Sequence, residues 1–110
     1  MVSRGSVCWV ELDKKRPCVV VSADDVLRVD VWQTHVVPLT SKTERANLAG
    51  NVLLAASETG LPKDSVAVPL GLELIDRAWL SEESGRLTPD RLAAIERGVC
   101  AVLGLPENHP

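Results

Sequence analysis

Apolar residues fall in short runs through the first two-thirds of this chain and at helical spacing in the last third. Residues 6–12 (SVCWVEL) are apolar on both faces, the pattern of a strand covered from two sides. Asp13, Lys14, Lys15 and Arg16 interrupt that pattern. Pro17 then opens a second run, CVVVS, at the first position of a strand, where a missing N–H costs no interior ladder bond. Further runs follow at 29–39 (VDVWQTHVVPL), 51–55 (NVLLA) and 65–70 (SVAVPL), with a short sixth at 72–75. Five or six short strands at this spacing predict a small barrel or a strongly twisted sheet. After Leu87 the period changes. Thr88 as N-cap, Pro89 at the first helical position and Asp90 in the first turn predict a helix start. Leu92, Ile95, Val99, Val102 and Leu103 then repeat at three- and four-residue spacing, and Gly104 stands at the C-cap position with Pro106 beyond. This helix is expected to lay one face on the sheet. Gly98 inside it costs ~1 kcal/mol relative to Ala, which a close packing contact would explain.

Composition sharpens the picture. A chain of 110 residues is expected to form one domain, 1–110, whose core stands without metal or disulfides. With 45% hydrophobic and 25% charged residues it is neither a disordered chain nor a collagen-like repeat. Phe and Tyr are absent and only Trp9, Trp32 and Trp79 are aromatic, so Val, Leu, Ile and Ala must build the core. Several bases could not stack on one aromatic platform. Trp9 and Trp32 are read as core or dimer-interface residues. A net charge of −3 argues against a general nucleic-acid coat protein but not against a local basic site. No apolar run approaches the ~20 residues of a membrane span, and the N-terminus has no signal-type apolar segment, so a cytoplasmic protein is expected. Cys8, Cys18 and Cys100 are widely spaced without a CxxC pair, which points to buried reduced thiols rather than a metal site. His109 lies in the last two residues, where chains fray.

Two segments carry candidate chemistry. One is Lys14-Lys15-Arg16-Pro17, between the first two strands; the other is Pro38-Leu39-Thr40-Ser41-Lys42, at the end of the third. An arginine fork with a hydroxyl nearby suits a phosphodiester, because guanidinium supplies planar donors and fixed charge and a hydroxyl can reorient. Spacing alone also allows a solvated hairpin turn and an ordinary loop. By strand parity His35 faces with Val37 and Leu39, opposite Thr40, and is read as a structural or surface residue. Glu11 and Asp13 are read as solvent-facing partners of Lys14 or Lys15. Lys42 and Arg45 are equally readable as phosphate contacts or as a charged loop.

Taken in order, RGSVCWVELD, KKRPCVVVS, VVPLTS, NVLLAASETGLPKDSVAV and IDRAWLSEESGRLTPDRLAAIERGVCAVLGL resemble the MazF/PemK family of toxin endoribonucleases, nearly end to end. That resemblance implies a mainly β fold: a small SH3-like barrel of five to six strands with a C-terminal helix. It implies a toxin of a type II toxin–antitoxin system that cleaves single-stranded RNA at short motifs, inhibiting translation and growth, and that needs no metal or other cofactor. It carries the family's catalytic arginine onto Arg16, which directly precedes Pro17, and the catalytic threonine onto Thr40 in PLTS. Ser65 matches a position that helps hold RNA, and Lys14, Lys15, Pro17, Ser41 and Lys42 complete the expected RNA-binding set. The implied partners are a homodimer mate and an antitoxin whose disordered, acidic C-terminal segment orders over the RNA groove.

Metal-free RNA cleavage uses the substrate's own 2′-hydroxyl. Arg16 is expected to neutralise charge growing on the phosphorane and Thr40 to donate to a non-bridging oxygen. A guanidinium rarely gives up a proton, so charge stabilisation is preferred to acid–base work. The sequence departs from the family in two places. The segment before RP is short, without the usual Gly-rich loop. Gly71 occupies the usual Gln position, with a reversed charge at Glu73. Two competing readings remain at this stage: a non-enzymatic gyrase inhibitor of the CcdB type on the same barrel, and a nuclease-dead decoy for antitoxins.

Overall fold

The structure is a computed structural model, and it describes residues 2–11, 14–29 and 32–107. Its frame is a curled antiparallel sheet: β1 (Ser6–Glu11), β2 (Lys15–Val20), β3 (Gln33–Thr40), β4 (Val52–Leu54), β5 (Ser65–Ala67), β6 (Glu73–Asp76) and β7 (Gly85–Arg86). The spatial order is β4-β5-β3-β2-β1-β7, and β6 pairs with β3 off that path. Three helices are added: α1 (Asp24–Arg28), α2 (Ala56–Thr59) and α3 (Pro89–Leu103).

Apolar residues on both faces of the first strands have a direct consequence. Val7, Val19 and Val37 stand opposite one another on one face. They join Leu54, Leu61, Leu87 and Ile95 in a core closed by β4, the segment after α2 and α3. Cys8, Cys18, Val20 and Val36 fill the other face with Leu27 of α1 and Ile75 of β6. Each face is therefore removed from water, and each fully buried Val or Ile contributes ~1.5–3 kcal/mol of burial.

The end strands β4 and β7 do not pair. Instead α2 bridges them: Ser84 Oγ donates to Thr59 O at 3.2 Å and to Val7 O at 3.1 Å. Gly60 ends α2 in the left-handed region at φ 76, and a Cβ there would lie 2.1 Å from Ser84 O, so only glycine fits this closure. Arg91 donates to Glu58 at 2.8 Å and pins α3 to α2, while Arg4 pairs with Glu96 and holds the N-terminal segment on α3.

The predicted helix is present with its caps. Thr88 Oγ1 accepts the Arg91 N–H at 3.5 Å, and Gly104 closes the helix at φ 68. Gly98 is a close contact: a Cβ there would lie 2.5 Å from Gly50 O and 2.5 Å from Pro69 Cγ.

Several expectations change. β2 begins at Lys15, two residues before Pro17, because Lys15 and Arg16 pair with Glu11 and Val10. Pro17 is thus inside the strand. Both the N–H and the C=O of Trp9, its partner, turn away to Ser81, so Pro17 takes a position that needs no donor toward β1, and the β2–β3 ladder begins only at Cys18. Asp13, expected as a solvent-facing partner of Lys14 or Lys15, lies outside the described residues. The run at 65–70 divides into β5 and a 3₁₀ turn, Pro69–Gly71. Helices α1 and α2 and strand β7 were not anticipated; five, four and two residues carry no readable period. Trp32 is 69% exposed, so of its two readings the core one is overturned and the dimer-interface one is left standing, and Cys100 is only half-buried, unlike Cys8 and Cys18.

Candidate active site

A cleft of about 680 Å³ opens where β2, β3 and β5 meet the β4–β5 connection. Its inner surface is apolar, formed by Trp9, Pro17, Pro38, Leu39, Leu61 and Val68. Its polar groups are Arg16, Thr40, Ser41, Lys42, Arg45, Lys63 and Ser65. The two segments singled out in the sequence therefore meet in one place, although 22 residues separate Thr40 from Cys18, where the β2–β3 ladder starts.

Sheet register accounts for the meeting. Cys18 stands opposite Pro38. Two steps outward along the same register lie Arg16 and Thr40, the last residue of β3. On the other edge of β3, Thr40 pairs with Val66, which brings Ser65 of β5 to the same end. Pro38 sits where the partner of β3 changes from β6 to β5, and its carbonyl accepts the Val68 N–H at 3.0 Å. A proline can stand there because no ladder donor is required at the switch.

Thr40 is oriented by its own loop. Its Oγ1 accepts the Lys42 N–H at 3.3 Å, which leaves the hydroxyl proton available to a ligand. Ser65 is almost wholly buried, and its Oγ donates to Lys63 O at 3.5 Å.

Charge distribution is the most informative feature. Elsewhere on this acidic chain Arg4, Lys15, Arg28, Arg86 and Arg91 each pair with a carboxylate, whereas Arg97 on α3 has no carboxylate partner among the described residues and lies outside the cleft. Arg16, Lys42, Arg45 and Lys63 have no carboxylate partner among the described residues, and all four line the cleft. Among the described residues no Asp, Glu, His or Cys lines it. Unpaired cations gathered on an apolar hollow, in a chain of net charge −3, make an anion receptor.

The other candidate residues divide between the cleft and the surface beyond it. Lys14 and Lys15 do not line the cleft, and Lys15 pairs with Glu11 at 3.4 Å. His35 is exposed on β3 outside the cleft; its N–H donates to Ser22 Oγ at 2.8 Å. Arg45, Lys63 and Trp9 belong to the cleft but not to the expected binding set. The signal for Lys63 was its place two residues before Ser65; Trp9, read as a core or dimer-interface residue, lines the cleft. Gly71 packs on Pro38, and a Cβ there would lie 2.6 Å from Pro38 Cγ, so the position expected for Gln has no room for one. Burial pushes the Cys8 thiol up to about 11 and the Cys18 thiol up to about 12, so neither supplies a thiolate near neutral pH. Among the described residues no cluster of His, Cys, Asp or Glu could hold a metal, and no helix is long and apolar enough to cross a membrane.

Fold and cleft together define a small curled-sheet protein with a cluster of cations without carboxylate partners at one edge. A family profile described as PemK-like, MazF-like toxin of type II toxin-antitoxin system matches residues 3–103, and the chain belongs to that family. It is 27% identical over 113 residues to Endoribonuclease MazF6 of Mycobacterium tuberculosis (strain H37Rv) and to Endoribonuclease MazF2 of Mycobacterium bovis, covering 96% of this chain and 99% of each relative. A solved endoribonuclease from a mycobacterial species superposes with a TM-score of 0.81 at 23% identity, over 97% of this chain and 95% of that one. The MazE–MazF complex of Deinococcus radiodurans superposes at 0.79 with 20% identity, over 96% of this chain and 97% of its match.

Proposed function

We propose that this MazF-type toxin endoribonuclease cleaves single-stranded RNA at the Arg16–Thr40 cleft by attack of the substrate's 2′-hydroxyl, with no metal in the step. The observation that carries the reading is the gathering of the unpaired cations around one oriented hydroxyl. The 2′-oxygen loses its proton to solvent and bonds to phosphorus. The P–O5′ bond breaks, and the 5′-oxygen takes up a proton. A 2′,3′-cyclic phosphate and a 5′-hydroxyl result. Arg16 neutralises charge on the phosphorane, and the Thr40 hydroxyl donates to a non-bridging oxygen. Lys42 and Ser41, next along the chain, hold the flanking backbone with Pro17 and Ser65 at the wall. Lys14 and Lys15 lie beyond the cleft on the β1–β2 hairpin, where Lys15 is engaged by Glu11, so they are left out of the proposed binding set.

An antitoxin segment rich in carboxylates competes for the same cations, since carboxylate and phosphate both satisfy an arginine fork. Solved relatives include an endoribonuclease in complex with its cognate antitoxin, which supports that reading. The protein acts as a homodimer in the cytoplasm, where its RNA substrates lie. A CcdB-type gyrase inhibitor is the weaker reading, because it has no use for the Arg16 and Thr40 arrangement.

The test is cleavage of a mixed single-stranded RNA pool in EDTA, with mapped ends, beside Arg16→Ala. Removing one such donor costs ~10²–10³ in rate. Because Arg16 is exposed and has no carboxylate partner among the described residues, the variant is expected to stay folded. A folded Arg16→Ala protein that cuts at the wild-type rate sinks the assignment.

A further inference from the structure

The apolar floor of the cleft carries an indole whose N–H no other residue engages, and we propose that Trp9 is the base-holding residue: one nucleobase of the RNA, of any identity, stacks on its ring while the cations alongside hold the phosphates. The inference rests on the cleft being the RNA site and concerns how that site holds a nucleotide.

Trp9 lies within β1, opposite Pro17 of β2. Its backbone is anchored on the other side of the strand: the N–H donates to Ser81 Oγ at 2.8 Å, and the carbonyl accepts the Ser81 N–H at 2.9 Å. Part of the side chain packs against the core cluster of Val7, Val19 and Leu39, and the rest lines the cleft. Among the described residues it is the one aromatic side chain there. Its indole N–H has no hydrogen-bond partner among them either. No buried side-chain nitrogen or oxygen among them lacks a partner, so this N–H is open to solvent. An indole with its body on the core and its N–H wet is the arrangement that favours tryptophan at binding surfaces.

The neighbours of that ring suit a nucleotide. A nucleotide joins a charged phosphate to a flat, weakly hydrated base through one sugar, so its receptor needs a cation and an apolar face side by side. The register supplies both. Arg16 directly precedes Pro17, the cross-strand partner of Trp9. The guanidinium meets the phosphate, and Trp9 with Pro17 and Leu61 meets the base. Stacking on one aromatic ring is sequence-tolerant, because every base has a π-face. It also requires an unpaired strand, since a base within a duplex is already stacked on both sides. One indole takes one base, which agrees with a chain too poor in aromatic residues for a longer platform.

The experiment measures binding, at low salt, of two short single strands of equal length: an oligodeoxyadenylate and a fully abasic strand. Both carry the same phosphates, and neither has the 2′-hydroxyl that cleavage needs. Wild type is expected to bind the adenylate ~5–150-fold more tightly, the range of a single base–aromatic stack. The Trp9 indole resonances, assigned by their loss in Trp9→Leu, are expected to shift with the adenylate more than those of Trp32 and Trp79, and not with the abasic strand. In Trp9→Leu, whose side chain still packs on the core, the base advantage should fall several-fold with abasic binding unchanged, and Trp9→Phe should keep most of it. A merely structural Trp9 would weaken both strands alike. Equal affinity of wild type for the two strands, or an undiminished base advantage in Trp9→Leu, overturns the proposal. If Trp9→Leu does not fold, Trp9→Phe supplies the assignment, and a Trp9 resonance unmoved by the adenylate overturns it. If the abasic strand binds and the bases add nothing, this inference falls alone. If neither strand binds, the cleft is no polyanion site and the nuclease reading falls with it.

Discussion

Gly98→Ala is the sharpest test of how the cleft is supported. In an isolated helix this change is favourable by ~1 kcal/mol, because glycine loses more backbone freedom on folding. In the protein an added Cβ lies 2.5 Å from Gly50 O and 2.5 Å from Pro69 Cγ. Carbon–carbon contacts are best near ~3.5–4.0 Å, so the ring is at least ~1 Å too close. Neither neighbour can swing aside, since one is backbone and the other a closed ring. The helix or the 3₁₀ turn at Pro69–Gly71 must move. Overpacking of this kind costs ~1–3 kcal/mol, and two rigid contacts at once put it at the upper end. After the helix-propensity gain, a net loss of ~1–2 kcal/mol remains. The same turn places Gly71 against Pro38, and Val68 before it lines the cleft, so its displacement also lowers RNA cleavage. Urea unfolding followed by circular dichroism at fixed protein concentration measures the loss, with a lower midpoint and an unchanged slope expected. A Gly98→Ala protein as stable as wild type or more so refutes the close approach.

Other outcomes follow from the same geometry. With four unpaired cations on the cleft, the logarithm of the RNA association constant is expected to fall with the logarithm of salt concentration with a slope near ~−3, at ~0.7 per contact for single strands, and Lys42→Ala should reduce the slope by about one contact. A flat salt dependence contradicts the electrostatic reading. At pH 8 iodoacetamide should modify Cys100 first, leaving Cys8 and Cys18 at least ~100-fold slower, because burial holds their thiols protonated; mass spectrometry of digested protein counts the labels. The Ala55 N–H and then Arg91 hold the Glu58 carboxyl below its usual range. Its contribution to stability is therefore full above the unfolded value of 4.5 and is lost as pH falls through the lower folded value. Glu58→Gln should lower the unfolding midpoint at pH 7 more than at pH 3, and an equal drop at both would remove Glu58 from the acid response.

Much of the fold was legible in the residues. Apolar positions on both faces of SVCWVEL and CVVVS require cover from two sides, and two cores flank β1 and β2. Thr88, Pro89 and Gly104 bracket α3 because capping and the left-handed C-cap depend on local chemistry alone. Elements too short to show a period were not legible. Helix α1 has five residues and β7 has two, and both exist because neighbours supply their partners: Leu27 packs on Ile75, and β7 pairs with Ser6 and Val7. The start of β2 was misplaced for a related reason. Charged residues before a proline read as a turn, yet Lys15 and Arg16 are held extended by pairing to Glu11 and Val10.

By itself, the sequence determined the residue types available for chemistry, the alternation that makes a sheet buried on both faces, and the family to which the chain belongs. Those properties depend on local order along the chain. The tertiary structure alone decided which charges are free. A charged side chain is neutralised or left unpaired according to what folds against it, so nothing in KKRP or PLTSK marks Lys15 as paired and Arg16 as open. Likewise, only the fold brings Arg45, Lys63 and Trp9 to the cleft with Thr40, and only the packing of Gly71 on Pro38 shows that a side chain at position 71 has no room.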